Sequence, residues 1–292
     1  MERARSSKTA EQMALSRAIE SRKSPTERIC DDPFAERFLG APYRLALLTR
    51  SLRDAVEGVI ERMFAGHHYY VIARTRYFDD VLIERLGAKP DQVVILGAGY
   101  DSRAYRFADA IGAARVFEVD HPATSAAKRA KIARLLRGAV PGNVTYVPVD
   151  FTAERLGDRL RSSGYQDKHR TLFLCEGVTP YLNSASMDDM LQFIRLSALA
   201  GSVVVFDYIL QSVVDGTCSL RGARNEHEKM SQTSEPLTFG IAEGGSETFL
   251  GERGFRDVVD VGADDLRVRY FHGAARDRYV KPWWRIAQAV IA

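Results

Sequence analysis

Three carboxylates, Asp120, Asp150 and Glu176, each close a short apolar, β-rich run, in "RVFEVD", "VTYVPVD" and "TLFLCE". A fourth such run passes into the glycine turn of "VVILGAGYDSRAYRF", where Gly97 and Gly99 permit positive φ and carry no Cβ to obstruct a ligand. In open α/β sheets, ligands bind beyond the carboxyl ends of the strands, and the turn after the first strand is the usual contact. A dinucleotide fingerprint would place Gly or Ala at the sixth position of this turn, where Ser102 stands. A phosphate-cradling loop would need a lysine followed by Ser or Thr at fixed spacing, and none is there. The turn therefore suits a nucleoside without phosphates.

Each acid has a matching task. Asp120 follows Gly99 by 21 residues, near the spacing at which a carboxylate accepts from the two hydroxyls of a ribose; the plainer reading is an aspartate that opens the next helix. Asp150 and Phe151 would offer an adenine a carboxylate for its amine and an apolar face for its ring, or Asp150 would cap a helix. Glu176 at a sheet rim needs a cation, which an amino-acid moiety supplies as its ammonium group. The carboxylate of that moiety needs the opposite sign, from Arg74 or Lys8, and arginine meets a carboxylate with two prongs. Three acids in strand order beside a turn without phosphate donors describe S-adenosylmethionine better than a nicotinamide cofactor.

Elements must position these residues. Before Gln92 the chain reads as helical, with apolar residues at 3.6-like spacing in "TAEQMALSRAIES", from Ser51 to Ala65 and in "YYVIARTRYFDDVLIERLGA". "DDPFAERFL" opens with aspartate and proline, a helix-start signal. From Gln92, apolar strands alternate with helices, notably Ala123 to Arg137 and Ser186 to Leu199, and "SVVVFDYI" makes a fifth strand. The polar stretch after Ile209 looks like an inserted lid; a helix over Ser246 to Arg253 and two more strands, in "GFRDVVDVG" and "RYVKPWWRIAQAVIA", follow. We expect one α/β domain with a helical cap (1–90), a cofactor-binding βα core (91–210), a lid (211–250) and terminal strands (251–292).

The combination "VVILGAGYDSRAYRF…VFEVDHPATSAAK…VPVDF…LFLCEGVTPYL" resembles the leucine carboxyl methyltransferase family of class I S-adenosylmethionine-dependent methyltransferases, over roughly residues 7–207. The resemblance implies a Rossmann-like seven-stranded sheet whose last strand is antiparallel, with helices closing over the cofactor. It implies that Arg74 and Lys8 meet the cofactor carboxylate, Gly97 and Gly99 its methionine part, Asp120 its ribose, Asp150 and Phe151 its adenine, and Glu176 its amino group. Tyr181 stands where family members approach the methyl acceptor. Eukaryotic members methylate a protein C-terminal carboxylate or act in transfer RNA hypermodification; bacterial relatives include carboxyl O-methyltransferases of polyketide pathways. This compact, arginine-rich chain looks like the bacterial group.

That points to O-methylation of a small carboxylic acid, with a phenol, a protein carboxylate or a non-catalytic binding role as alternatives. A carboxylate is ionised at neutral pH and needs no base, whereas a phenol would benefit from one. His227 in the lid is the histidine placed to serve if a base exists. His67 and His68 are adjacent, so on a helix they diverge and no metal site follows. Trp283 and Trp284 read as packing beside the last strand, with substrate stacking a secondary role.

The 292 residues are 46% hydrophobic and 27% charged, with 41 Lys plus Arg against 38 Asp plus Glu, a formal charge of +3. So small and interspersed a charge argues against nucleic acid as a partner. Cys30, Cys175 and Cys218 form no C-x-x-C, so no disulfide framework or zinc site is expected. With no apolar run of about 18 residues, no secretory core in "MERARSSKTAEQ" and no lipidation signal in "QAVIA", a cytoplasmic location without a membrane partner is expected.

Overall fold

Apolar runs bounded by glycine and charge become the strands of one sheet in the computed structural model, which describes residues 8–150, 154–233 and 236–292. The strands are β1 (Gln92–Leu96), β2 (Arg115–Asp120), β3 (Val144–Pro148), β4 (Thr171–Cys175), β5 (Val203–Ile209), β6 (Phe255–Val261) and β7 (Trp284–Ile291). All residues of β1, β4 and β5 are buried, as expected for strands covered on both faces. Their order is β3-β2-β1-β4-β5-β7-β6. The first five are parallel, and β7 runs antiparallel between β5 and β6. This is the expected seven-stranded, Rossmann-like arrangement.

Strand order reverses between β1 and β4, so a crevice opens beyond their carboxyl ends. Leu96 pairs with both Val119 and Cys175. One sheet edge therefore brings together Gly97, Asp120 and Glu176, which follow or end those strands. β3 stops at Pro148, two residues short of the expected end, so Asp150 lies on the loop beyond it.

Ahead of the sheet come α1 (Lys8–Ser21), α2 (Ala35–Phe38), α3 (Ala41–Ala46), α4 (Arg50–Met63) and α5 (His67–Leu86). Asp32 accepts at Oδ1 from the N–H groups of Phe34 and Ala35, the predicted helix-start role. α5 is the core member, with Tyr70, Arg74 and Phe78 all buried, and α1 packs on it. α6 (Arg103–Arg106), α7 (Ala108–Ile111), α8 (Pro122–Leu135), α9 (Leu156–Ser162) and α10 (Ser184–Ser197) join the parallel strands.

After β5 come α11 (Gln211–Val214) and α12 (Ala223–Ser231), in the stretch expected to be a lid. α12 is tied to the body by a buried ion pair between Glu226 and Lys281, 2.5 Å apart. Burial pulls the Lys281 ammonium below its ordinary value against the attraction of Glu226. The chain then returns along the end of β5, where the Ile241 N–H donates to the Ile209 carbonyl. α13 (Ser246–Gly251) matches the predicted helix, and α14 (Ala263–Tyr270), not anticipated, joins β6 to β7.

Candidate active site

A cavity of about 490 Å³ lies at the crevice, bounded by the glycine turn, the ends of β2 and β4, and α1 and α5 of the cap. Gly97 has φ +63° and Gly99 φ +38°. A Cβ on Gly97 would stand 2.0 Å from Val178 Cγ2, so both the backbone and the neighbour demand glycine there. The Gly99 N–H donates to Asp120 Oδ2 at 2.5 Å and the His121 N–H to Oδ1 at 2.6 Å. The Asp120 carboxylate is thus held by two backbone donors at the rim of the cavity. Burial pushes its carboxyl above the ordinary range, while the two donors pull the other way.

Beside it lies a web of ion pairs. Arg74, from α5, donates through Nε to Glu176 Oε1 at 3.0 Å and through Nη1 to Asp207 Oδ2 at 2.5 Å, while Nη2 lies 3.7 Å from Met13 Sδ. Arg103, from α6, donates through Nη1 to Glu176 Oε2 and Asp101 Oδ2, both at 2.6 Å, through Nε to Asp79 at 2.7 Å and through Nη2 to the Thr75 carbonyl. Arg106 takes Asp79 with two prongs at 2.8 and 2.9 Å. Arg17 of α1 donates to Asp32 at 2.9 Å and to the Tyr100 carbonyl at 2.6 Å.

These contacts fix the charge states. Burial is the largest single influence and raises the Glu176 and Asp101 carboxyls, but Arg103 with Arg74 at Glu176, and Arg103 with Lys128 at Asp101, together outweigh it. Glu176 ends below the ordinary value and Asp101 at about 2. Asp207 is pushed up by burial against the pull of Arg74; its Oδ1 also accepts from the Gly177 N–H at 2.6 Å. With both oxygens accepting, we assign Asp207 as ionised.

The sequence profile of the leucine carboxyl methyltransferase family matches residues 10–195. The chain belongs to this family. Among curated relatives of this family member, a Frankia alni protein whose name assigns it to the S-adenosyl-L-methionine-dependent methyltransferases is 32% identical over 200 residues, 68% of each chain. One from Mycobacterium sp. strain KMS, named in the same way, is 33% identical over 216 residues, 70% of this chain and 67% of its own. Among solved structures, an O-methyltransferase family protein from Burkholderia thailandensis superposes with a TM-score of 0.51 at 12% identity, over 86% of this chain and 62% of its own. At that identity the likeness is one of fold.

In this leucine carboxyl methyltransferase family member, Arg74, Gly97, Gly99, Asp120, Glu176 and Tyr181 all line the one cavity. Asp150 does not; it is half-buried on its loop, with its N–H on Glu154 at 3.0 Å. Phe151 lies outside the described residues, and Lys8 opens α1 with its side chain outside them too. His227 sits apart from the cavity, its Nδ1 3.0 Å from the Val213 carbonyl and its ring against the Gly216 turn. His121 accepts from the Ala123 N–H, capping α8. Trp283 and Trp284 are buried at the start of β7, where Trp284 lies 5.4 Å from the Tyr70 ring. Among the described residues no group of three His, Cys, Asp or Glu could hold a metal.

Sequence reasoning missed Arg17, Asp79, Asp101, Arg103 and Asp207. Asp101 and Arg103 stand in the quoted "GAGYDSR", so their place beside the turn was visible there. The other partners of Arg103 come from α5 and the end of β4, and Asp207 reaches Arg74 from β5, elements that no local pattern connects.

Proposed function

We propose that the chain transfers the methyl group of S-adenosylmethionine to an oxygen of a small organic acid, with a carboxylate as the acceptor. Methyl transfer from this donor is the activity by which its relatives are named; the acceptor and the residue roles are our reading. The residues fit the donor. Gly97 and Gly99 leave the turn without a Cβ, Asp120 is aimed by two backbone N–H groups, and Glu176 gives the amino group a carboxylate. Arg74 serves the donor's carboxylate through Nη2, the prong that among the described residues lies against the Met13 thioether. Lys8 is its companion there, and Asp150 with Phe151 serves the adenine.

The observation that carries the acceptor class is the state of the acids in the cavity. Asp101 and Glu176 are held ionised by Arg103, so they are weak proton acceptors. Such a site suits a nucleophile that arrives already ionised, and a carboxylate does so at neutral pH. The bound sulfonium supplies an activated methyl group, so the protein's work is to hold the acceptor oxygen in line with it. Tyr181, on the short 3₁₀ turn after β4 and on the cavity wall, positions that oxygen by a hydrogen bond.

A screen with labelled methyl donor against small carboxylic acids and phenols tests this reading, with label expected in base-labile methyl esters. Methylation of phenols alone would overturn the acceptor class. Failure to bind S-adenosylhomocysteine would overturn the donor as well.

A further inference from the structure

Helix α4 turns carboxylates inward together with Val56 and Ile60, which pack against the core. Glu57, its one buried residue, accepts from the Tyr69 hydroxyl at 2.8 Å and pairs with Lys23 at 3.2 Å. Glu61 accepts from the N–H groups of Gly66 and His68 at 2.6 and 3.1 Å. Away from Glu57 the helix carries Leu52, Val59 and Met63, which recur at helical spacing and so share one face, while Val56 and Ile60 pack on the core beside it. Leu52, Val59 and Met63 are 47%, 45% and 52% exposed, and Leu45 and Leu48, just before the helix, 61% and 71%. Exposed apolar residues elsewhere, such as Ile83, Leu220 and Val268, are scattered singly and need no explanation. An outward row of Leu52, Val59 and Met63 on one helix, with Leu45 and Leu48 exposed just before it, does need one.

Cations frame the stripe. Arg53 and Arg62 lie on its two flanks, donating to the backbone carbonyls of Leu47 and Gly58, which carry no charge. Arg44 is exposed at its leading end. Asp54, the helix's remaining acid, stands 3.9 Å from Arg50. The outward face is therefore apolar along its centre and positive along its edges.

We propose that the outer face of α3 and α4 docks on an anionic lipid surface. Leu48, Leu52, Val59 and Met63 enter the acyl boundary, and Arg44, Arg53 and Arg62 meet the headgroups. The stripe from Leu52 to Met63 is about 16 Å long, and none of its side chains lines the described cavities. An exposed apolar helix face edged by cations suits a bilayer interface, which takes such a helix flat with its apolar side down. Arginine stems can lie along the apolar layer while their charges reach the phosphates. A second copy fits less well, because it would bring the arginines of both copies to one interface. No helix among the described residues is long and apolar enough to cross a membrane, so the contact is peripheral. The sequence, read for spanning runs, gave no sign of it.

Sedimentation of the full chain with lipid vesicles tests the proposal, using phosphatidylcholine alone or with about one third phosphatidylglycerol. The wild-type chain should bind the anionic vesicles about tenfold better than the neutral ones and release as salt is raised. Leu52→Asp/Val59→Asp should abolish binding, and Arg53→Gln/Arg62→Gln should weaken it, each keeping the wild-type melt and affinity for S-adenosylhomocysteine. Wild-type chain left in the supernatant with anionic vesicles, or an aspartate variant that sediments like wild type, overturns the proposal. So does a dimer in light scattering that the aspartate variant splits, since the stripe would then join two copies. Loss of S-adenosylhomocysteine binding by the wild type would instead strike the function proposed above.

Discussion

Replacing Gly97 by alanine tests whether the glycine turn is required by geometry or is merely permissive. At φ +63° a Cβ costs about 1–2 kcal/mol in the backbone alone. The same Cβ would lie 2.0 Å from Val178 Cγ2, so the valine must move, adding about 1–3 kcal/mol of overpacking. Gly97→Ala should therefore lose about 2–5 kcal/mol, or roughly 4–20 °C in melting temperature for a chain of this size. Val178→Ala removes the offending Cγ2 and leaves the next contact, Val178 Cβ, at 3.4 Å. The double variant should recover the overpacking part and keep the backbone part. The cycle, read by denaturant unfolding, should thus show a favourable coupling of about 1–3 kcal/mol. Val178 also walls the cavity, so affinity for S-adenosylhomocysteine, read by calorimetry, should fall in Gly97→Ala and partly return in the double variant. A Gly97→Ala chain within about 0.5 kcal/mol of wild type, or a cycle with no coupling, refutes the reasoning.

Asp79→Asn takes the two-pronged partner from the buried Arg106 and one of three carboxylates from the buried Arg103, and should destabilise the chain by about 3–5 kcal/mol while weakening cofactor binding. Arg106→Gln, which leaves Arg103 on Asp79, should spare most of the affinity; equal losses in both would sink a positioning role for Asp79. Asp101 titrates at about 2 when folded against an ordinary 3.8, so its stabilisation, about 2 kcal/mol, is present above the ordinary value and lost as pH falls toward 2. Asp101→Asn should flatten acid unfolding across that window, and an unchanged slope contradicts the assignment. His227→Ala should keep kcat within about twofold of wild type, because the ring faces the Val213 carbonyl rather than the cavity; a loss of a hundredfold would make it a base after all.

What was legible in the sequence was whatever is local. The run from Val93 into Gly97 and the alternation after Gln92 gave the parallel core, because buried parallel strands need continuous apolar runs. Asp120 and Glu176 were legible as candidate site residues through motif and spacing and Arg74 through the family resemblance, and all three line one cavity. The helix from Ala263 to Tyr270 was not, since its charges at Asp264, Asp265, Arg267 and Arg269 mask a short buried side of Ala263 and Leu266. Asp207 was hidden for the opposite reason. Within "SVVVFDYI" it reads as the polar exception in a strand, yet it is fully buried and holds both Arg74 and the Gly177 turn.

The web that eluded the sequence also bears on the choice of ligand. Asp32, Asp79, Asp101, Glu176 and Asp207 are joined to Arg17, Arg74, Arg103 and Arg106, five carboxylates to four guanidiniums, which leaves one negative charge before Asp120 is added. S-adenosylmethionine sets a sulfonium and an ammonium against one carboxylate, a net positive charge that such a wall attracts. A nicotinamide dinucleotide brings a pyrophosphate, more negative charge than the single carboxylate given to the Arg74 Nη2 prong, to a web whose arginines are all paired with carboxylates. Ser102, read in the sequence as a break in the dinucleotide pattern, donates to Asp32 at 2.7 Å and accepts from Arg106 at 2.8 Å, so the same residue helps to hold the web together. Loss of that link in Ser102→Ala should therefore loosen Asp32 and Arg17 under α1, lowering affinity for S-adenosylmethionine without creating affinity for NAD; tight NAD binding by this variant would show that the serine alone, and not the charge of the wall, had excluded it.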